Sequence, residues 1–173
     1  VPDRGNGPPT SLVRIALGGD VMFGRWKDDV WRRYDNPEIW SAAEPVFEAA
    51  DLAVVNLETA LCERDAAGPT ENAIWLTAEP PSLDHISNAG VDLVSIANNH
   101  ATDCGEGSVA RTTRALEARD IGSLGRERPG ADWERYVDGV TIAGVGATMY
   151  PPPGAASSGL RIVSPEAFDR LVE

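Results

Sequence analysis

A layered α/β fold with a parallel sheet is predicted by three features of this 173-residue chain. Largely apolar runs of strand length recur at residues 13–17, 52–55 and 91–97, and an apolar run of that length suits a strand buried on both faces. Segments of helical periodicity separate them, so the alternation of strand and helix requires right-handed crossovers. Each run also ends in oxygen- or nitrogen-bearing side chains, and in open α/β sheets ligands collect outside the carboxyl ends of the strands.

The elements follow in chain order. Residues 1–11, with three prolines and two glycines, read as a flexible lead-in to a single domain over 12–173. Residues 12–17 form the first strand, and Gly18-Gly19 permits a tight turn that leaves Asp20 at its end. Residues 26–34 read as a short helix or irregular loop, broken at Asn36-Pro37. A helical pattern over 40–50 places Ala43, Val46, Phe47 and Ala50 on one face. The second strand spans 51–56, a polar loop 62–72, and a short apolar edge piece 73–76. Pro80-Pro81 opens a helix through Leu83, Ile86 and Ala89 that stops at Gly90. After the third strand, 91–97, the spacing of Val109, Thr112, Thr113 and Leu116 predicts an amphipathic helix over 107–119. Residues 134–137 and 140–145 read as a β-hairpin turning at Asp138-Gly139. A Pro- and Ser-rich loop spans 151–159, and Ser164-Pro165 starts a last helix with Ser164 as N-cap.

Composition narrows the function classes. A chain with 42% hydrophobic and 24% charged residues is ordinary for a globular domain. Net charge −12, with Lys27 the only lysine, argues against a nucleic-acid face and favours a small focused site that concentrates cations. No apolar stretch reaches transmembrane length, and no signal-peptide pattern is visible. The sequence leaves the location open between the cytoplasm and, if a leader preceded Val1, the cell surface or exterior. Cys62 and Cys104 are too few for a disulfide framework. Each lies four residues past a site candidate, Glu58 or His100, which suggests one shared rim, but two unrelated thiols is the simpler expectation.

The strand ends carry the chemistry. Asp20, Glu58 and Asn99 are hard oxygen donors suited to a divalent cation. His100 beside them suits a general acid, with Asp103 orienting its imidazole. Arg25 suits a bidentate clamp on an anionic group, and Asn56 is a second substrate-contact candidate. Each has a plainer reading: Asp20 as a turn residue, Asn56 and Glu58 as loop caps, Asn98 and Asn99 as left-handed turn residues, Asp103 as a helix start. His85 and the five tryptophans are assigned no functional role. Convergence of three strand ends, not any one residue, carries the expectation.

Three motifs in this order resemble a known family. Gly-Asp-Val-Met at 19–22, Ala-Asp-Leu-Ala-Val-Val-Asn-Leu-Glu-Thr at 50–59 and Ala-Asn-Asn-His-Ala-x-Asp-x-Gly at 97–105 are similar to the CapA-like proteins of bacterial capsule and poly-γ-glutamate biosynthesis. The likeness continues through Thr113, Leu116 and Ile121-Gly122-x-x-Gly125 into 141–147, and covers residues 13–148. It implies kinship with calcineurin-type metallophosphoesterases and a four-layer α/β/β/α sandwich with metal at the strand ends. By the same likeness Asp20, Glu58 and Asn99 are ligands to one or two divalent ions (Mn, Zn, Fe or Mg), His100 the neighbouring acid, and Arg25 a substrate contact.

Three departures qualify the likeness. Met22 stands where the wider phosphoesterase pattern has a histidine, which implies one metal or an altered pair. Thr102 and Cys104 replace apolar and aromatic residues of the family loop. The His-Trp-Gly-like strand and Gly-His-His-x-His-like loop that complete the family's site are absent from this sequence. It is therefore expected to be the N-terminal part of a sandwich, completed by a second polypeptide, a swapped copy or a C-terminal half. The expected function is metal-dependent hydrolysis or transfer at a phosphoester or amide-like centre of a small or polymeric anionic substrate. The alternatives are a non-catalytic accessory or binding role on the same fold, and a purely structural half-domain.

Overall fold

The computed structural model describes residues 12–24, 40–62, 74–105, 107–152, 154, 157–164 and 167. Arg25, the 1–11 lead-in, the 26–34 helix, nearly all of the 62–72 loop and most of the last helix lie outside the described residues.

The centre is a parallel sheet of four strands: β1 (Ile15–Val21), β2 (Leu52–Leu57), β5 (Leu93–Ser95) and β6 (Gly122–Leu124), adjacent in that order. Between β2 and β5 the chain forms a small parallel pair, β3 (Ala60–Leu61) with β4 (Thr77–Ala78). Helices α1 (Glu44–Glu48), α2 (Leu83–Asn88) and α3 (Ser108–Glu117) complete the crossovers. The hairpin β7 (Trp133–Val137) and β8 (Val140–Gly144) follows. Its turn residues Asp138 and Gly139 have φ of 46° and 87°, the left-handed pair that a two-residue turn between twisted strands requires.

Alternation along β2 and β5 divides the core. Ala53, Val55, Leu57 and Val94 face the helices, meeting Phe47, Leu83, Ile86, Val109 and Leu116. Leu52, Leu93 and Leu124 face the other way and meet Trp133 and Ile142 of the hairpin. Each fully buried Leu or Ile contributes roughly 1.5–3 kcal/mol, so the helical side, with most of them, carries the larger share of stability.

The hairpin leaves part of its sheet face open. Ile15 and Leu17 pair with Leu52 and Val54 and so extend the hairpin-facing apolar row, yet they are 47% and 78% exposed. Four expectations change in detail. Gly18-Gly19 lie inside β1 rather than turning after it, the edge piece begins at a bridge on Leu76 and runs through Thr77–Ala78, β3 and β6 are additional strands, and the helix expected over 40–50 is five residues long.

Candidate functional site

Strand register brings the site together. β1 pairs Leu17 with Val54 but then Asp20 with Asn56, so β1 carries one extra residue between them. Without it Gly19 would oppose Asn56, and Asp20 would turn to the opposite face. Glycine is needed at 18 because a Cβ there would lie 2.9 Å from Val55 Cγ1. Asn56 in turn pairs with Ser95 on β5. Asp20, Asn56 and Ser95 therefore form a polar row across three strands, at the carboxyl end of the row that buries Leu52 and Leu93.

Side-chain hydrogen bonds extend that row. Asn56 Nδ2 donates to Asp20 Oδ1 at 2.8 Å and more weakly to Glu58 Oε1 at 3.5 Å. Asn98 Nδ2 donates to Asn56 Oδ1 at 3.2 Å and to the Leu57 carbonyl at 2.9 Å. The His100 backbone N–H donates to Asn98 Oδ1 at 3.0 Å. His100 Nδ1 lies 2.7 Å from Asp103 Oδ2, which also accepts the Leu76 N–H at 2.7 Å. Residues 20, 56, 58, 98, 100 and 103 are thus joined from exposed Asp20 to buried Asp103.

Burial pushes the Asp103 carboxyl above its ordinary range, opposed by the Leu76 N–H and by the His100 hydrogen bond and charge. An ionised Asp103 is acceptor-only, so opposite it the imidazole carries its proton on Nδ1 and its lone pair on Nε2. Asp103 is not the cap of α3. That helix begins after Gly107 with no side-chain cap.

The structure separates the adjacent amides. Asn98 is buried in the network, whereas Asn99 is exposed and joins none of these bonds. Both cysteines are also corrected: Cys62 and Cys104 are not unrelated thiols but a disulfide across 42 residues, with Cα atoms 5.3 Å apart. Neither Asn98 as the inner amide nor the disulfide was assigned from sequence. The shared four-residue offset of the cysteines was the available signal.

A cation fits part of this arrangement. One amide N–H group faces both Asp20 and Glu58, which marks the space between the carboxylates as favourable to positive charge. Their oxygens, with an asparagine side-chain carbonyl, are the hard donors that Mg or Mn takes. Among the described residues no group of three or more His, Cys, Asp or Glu gathers in metal-binding geometry, so these residues amount to a partial coordination set.

Comparison with known proteins agrees with the motif order. A family model described as "Bacterial capsule synthesis protein PGA_cap" matches residues 14–162. The chain is 26% identical over 170 residues to the PGA biosynthesis protein CapA of Bacillus subtilis, covering 93% of this chain and 45% of that protein. It is 26% identical over 142 residues to the capsule biosynthesis protein CapA of Bacillus anthracis, covering 79% and 34% respectively. A probable polyglutamine synthesis accessory protein of Mycobacterium tuberculosis is 24% identical over 147 residues, covering 66% and 38%. The chain thus spans less than half the length of these curated relatives.

Proposed function

This chain belongs to the bacterial capsule synthesis protein PGA_cap family, and we propose that it supplies the cation-binding, acid–base part of a metal-dependent hydrolase or transferase acting in capsule or poly-γ-glutamate biosynthesis. The single observation that supports this most is the unbroken hydrogen-bond path from Asp20 through Asn56 and Asn98 to the His100–Asp103 pair.

In this reading Asp20 and Glu58 hold one divalent ion, with Asn99 a further oxygen donor from the loop. Such an ion, when bound, polarises a substrate oxygen and lowers the pKa of coordinated water. His100 holds a proton on Nδ1 against Asp103 and exchanges one with the substrate at Nε2. Asn56 and Arg25 contact the anionic substrate, whose reacting centre is a phosphoester or an amide-like group. The layering of helices, sheet and hairpin is compatible with part of an α/β/β/α sandwich. The open apolar strip at Ile15 and Leu17 supports a further polypeptide segment that extends the hairpin layer and completes the coordination set.

The test is Mn²⁺-dependent turnover of a nitrophenyl phosphodiester and of a γ-glutamyl anilide. Asp20→Ala and Glu58→Ala should abolish stoichiometric metal, and His100→Ala should lower turnover about 10²–10⁴-fold with metal retained. Metal content unchanged in both carboxylate variants contradicts the reading. The incomplete donor set favours one second reading, an accessory protein that binds an ion and an anionic polymer without turnover. Bound metal with no hydrolysis of either probe would select it.

A further inference from the structure

The Cys62–Cys104 disulfide reaches the acid–base pair by a short route. Cys104 directly follows Asp103, and Cys62 directly follows β3. Strand β3 is tied to the Leu76 segment, since the Ala60 N–H donates to the Leu76 carbonyl at 2.9 Å and the Cys62 N–H to the Ala78 carbonyl at 2.8 Å. The Leu76 N–H then returns to Asp103 Oδ2. Covalent bridge, strand pairing and carboxylate bond thus close one ring around Asp103. Arg111 reinforces it, donating from Nε to the Leu61 carbonyl and from Nη2 to the Cys104 carbonyl. Tethering one contact raises the effective concentration of the contact beside it.

We propose that this bridge is a positioning clamp for the His100–Asp103 pair and makes the pair dependent on redox state. The inference rests on reading that pair as the acid–base element. With the bridge closed, Asp103 is held on both the Leu76 N–H and His100 Nδ1. A dithiol opens it: the Sγ–Sγ bond breaks, each sulfur becomes a thiol, and the dithiol gives up two electrons and two protons to become a disulfide. The loop then keeps its other anchors, the Asn98 side chain on the Leu57 carbonyl, the Ser108 hydroxyl on the Ala101 carbonyl and Arg111 on the Cys104 carbonyl, but Asp103 loses the covalent part of its clamp. The competent state of the pair therefore belongs to a compartment in which disulfides persist.

Nitrogen NMR on the ¹⁵N-labelled protein tests this without measuring turnover, so loss of the catalytic reading leaves the test intact. The chain has two histidines, and His85 serves as the internal reference. In the oxidised protein the His100 ring should show the Nδ1–H tautomer. After reduction by a dithiol that signature should fade, and amide exchange at Leu76 should quicken about tenfold or more, while His85 and the central-strand amide of Val94 change less than about twofold. Reoxidation should restore both signals, and Cys62→Ser/Cys104→Ser should reproduce the reduced state. An unchanged His100 ring and Leu76 amide on reduction would overturn the proposal. So would parallel acceleration at Val94, which would make the bridge a general staple.

Discussion

Asp103 and Asp132 are both buried carboxylates, 9% and 4% exposed, but the donors around them differ in kind. Asp132 Oδ2 accepts the N–H groups of Gly125 at 2.7 Å and Gly146 at 2.9 Å, and Oδ1 accepts Arg161 Nη2 at 2.6 Å. Those donors are two backbone amides and a guanidinium, which donate and do not accept. They join the chain after β6 to the chain after β8 and to residue 161. Asp103 accepts one backbone N–H and faces one imidazole, a ring whose two nitrogens can donate and accept. A buried carboxylate with only permanent donors fixes a fold. One that shares an imidazole beside a polar strand-end cluster is placed to pass protons.

The largest effect should come from Asp132→Ala, which leaves half-buried Arg161 without its counter-charge and two buried N–H groups without an acceptor. Urea unfolding should show a loss of about 3–5 kcal/mol. A loss below about 1 kcal/mol would erase the contrast. Asp103→Ala should cost less, about 1–3 kcal/mol, because it strands one buried N–H, that of Leu76, while the half-buried His100 ring reaches water. Arg161→Lys should cost about 1–2 kcal/mol, measured in the same way. It keeps the charge but loses the planar fork that serves Asp132 and the carbonyls of Arg126 and Arg128.

The smallest effect is in pH dependence. Burial raises the Asp103 carboxyl above its ordinary value. Between that value and the raised one, the folded state holds a proton that the unfolded chain has released. Stability contributed by this group therefore falls as pH rises through that window and returns as pH drops below it. Unfolding free energies measured against pH should lose this slope in Asp103→Asn. An unaltered slope would show that another group sets it.

What the sequence made legible was local. The amphipathic spacing of Val109, Thr112, Thr113 and Leu116, all buried in α3, is set within one helix, and Asp138-Gly139 specifies its own turn. Residues 52–57 and 93–95 announced themselves as strands because both faces are covered. Strand β6, with one leucine in three residues, becomes a strand only by pairing with β5, and β3–β4 is two residues long on each side. The extra residue in β1 shows itself only in register with β2. Asn98 and Asn99 are chemically identical neighbours, and the loop backbone decides which amide turns inward. Asp132 gave no signal, because its partners lie at 125, 146 and 161.

The central claim, that the strand-end cluster is one cation-binding site, is tested most directly by Mn²⁺ titration with paramagnetic broadening of asparagine side-chain amides. The account predicts that Asn56, Asn98 and Asn99 broaden first while Asn88 on α2 stays sharp, and that Asp20→Ala or Glu58→Ala abolishes the effect. Broadening centred elsewhere, or left unchanged by both substitutions, would contradict it.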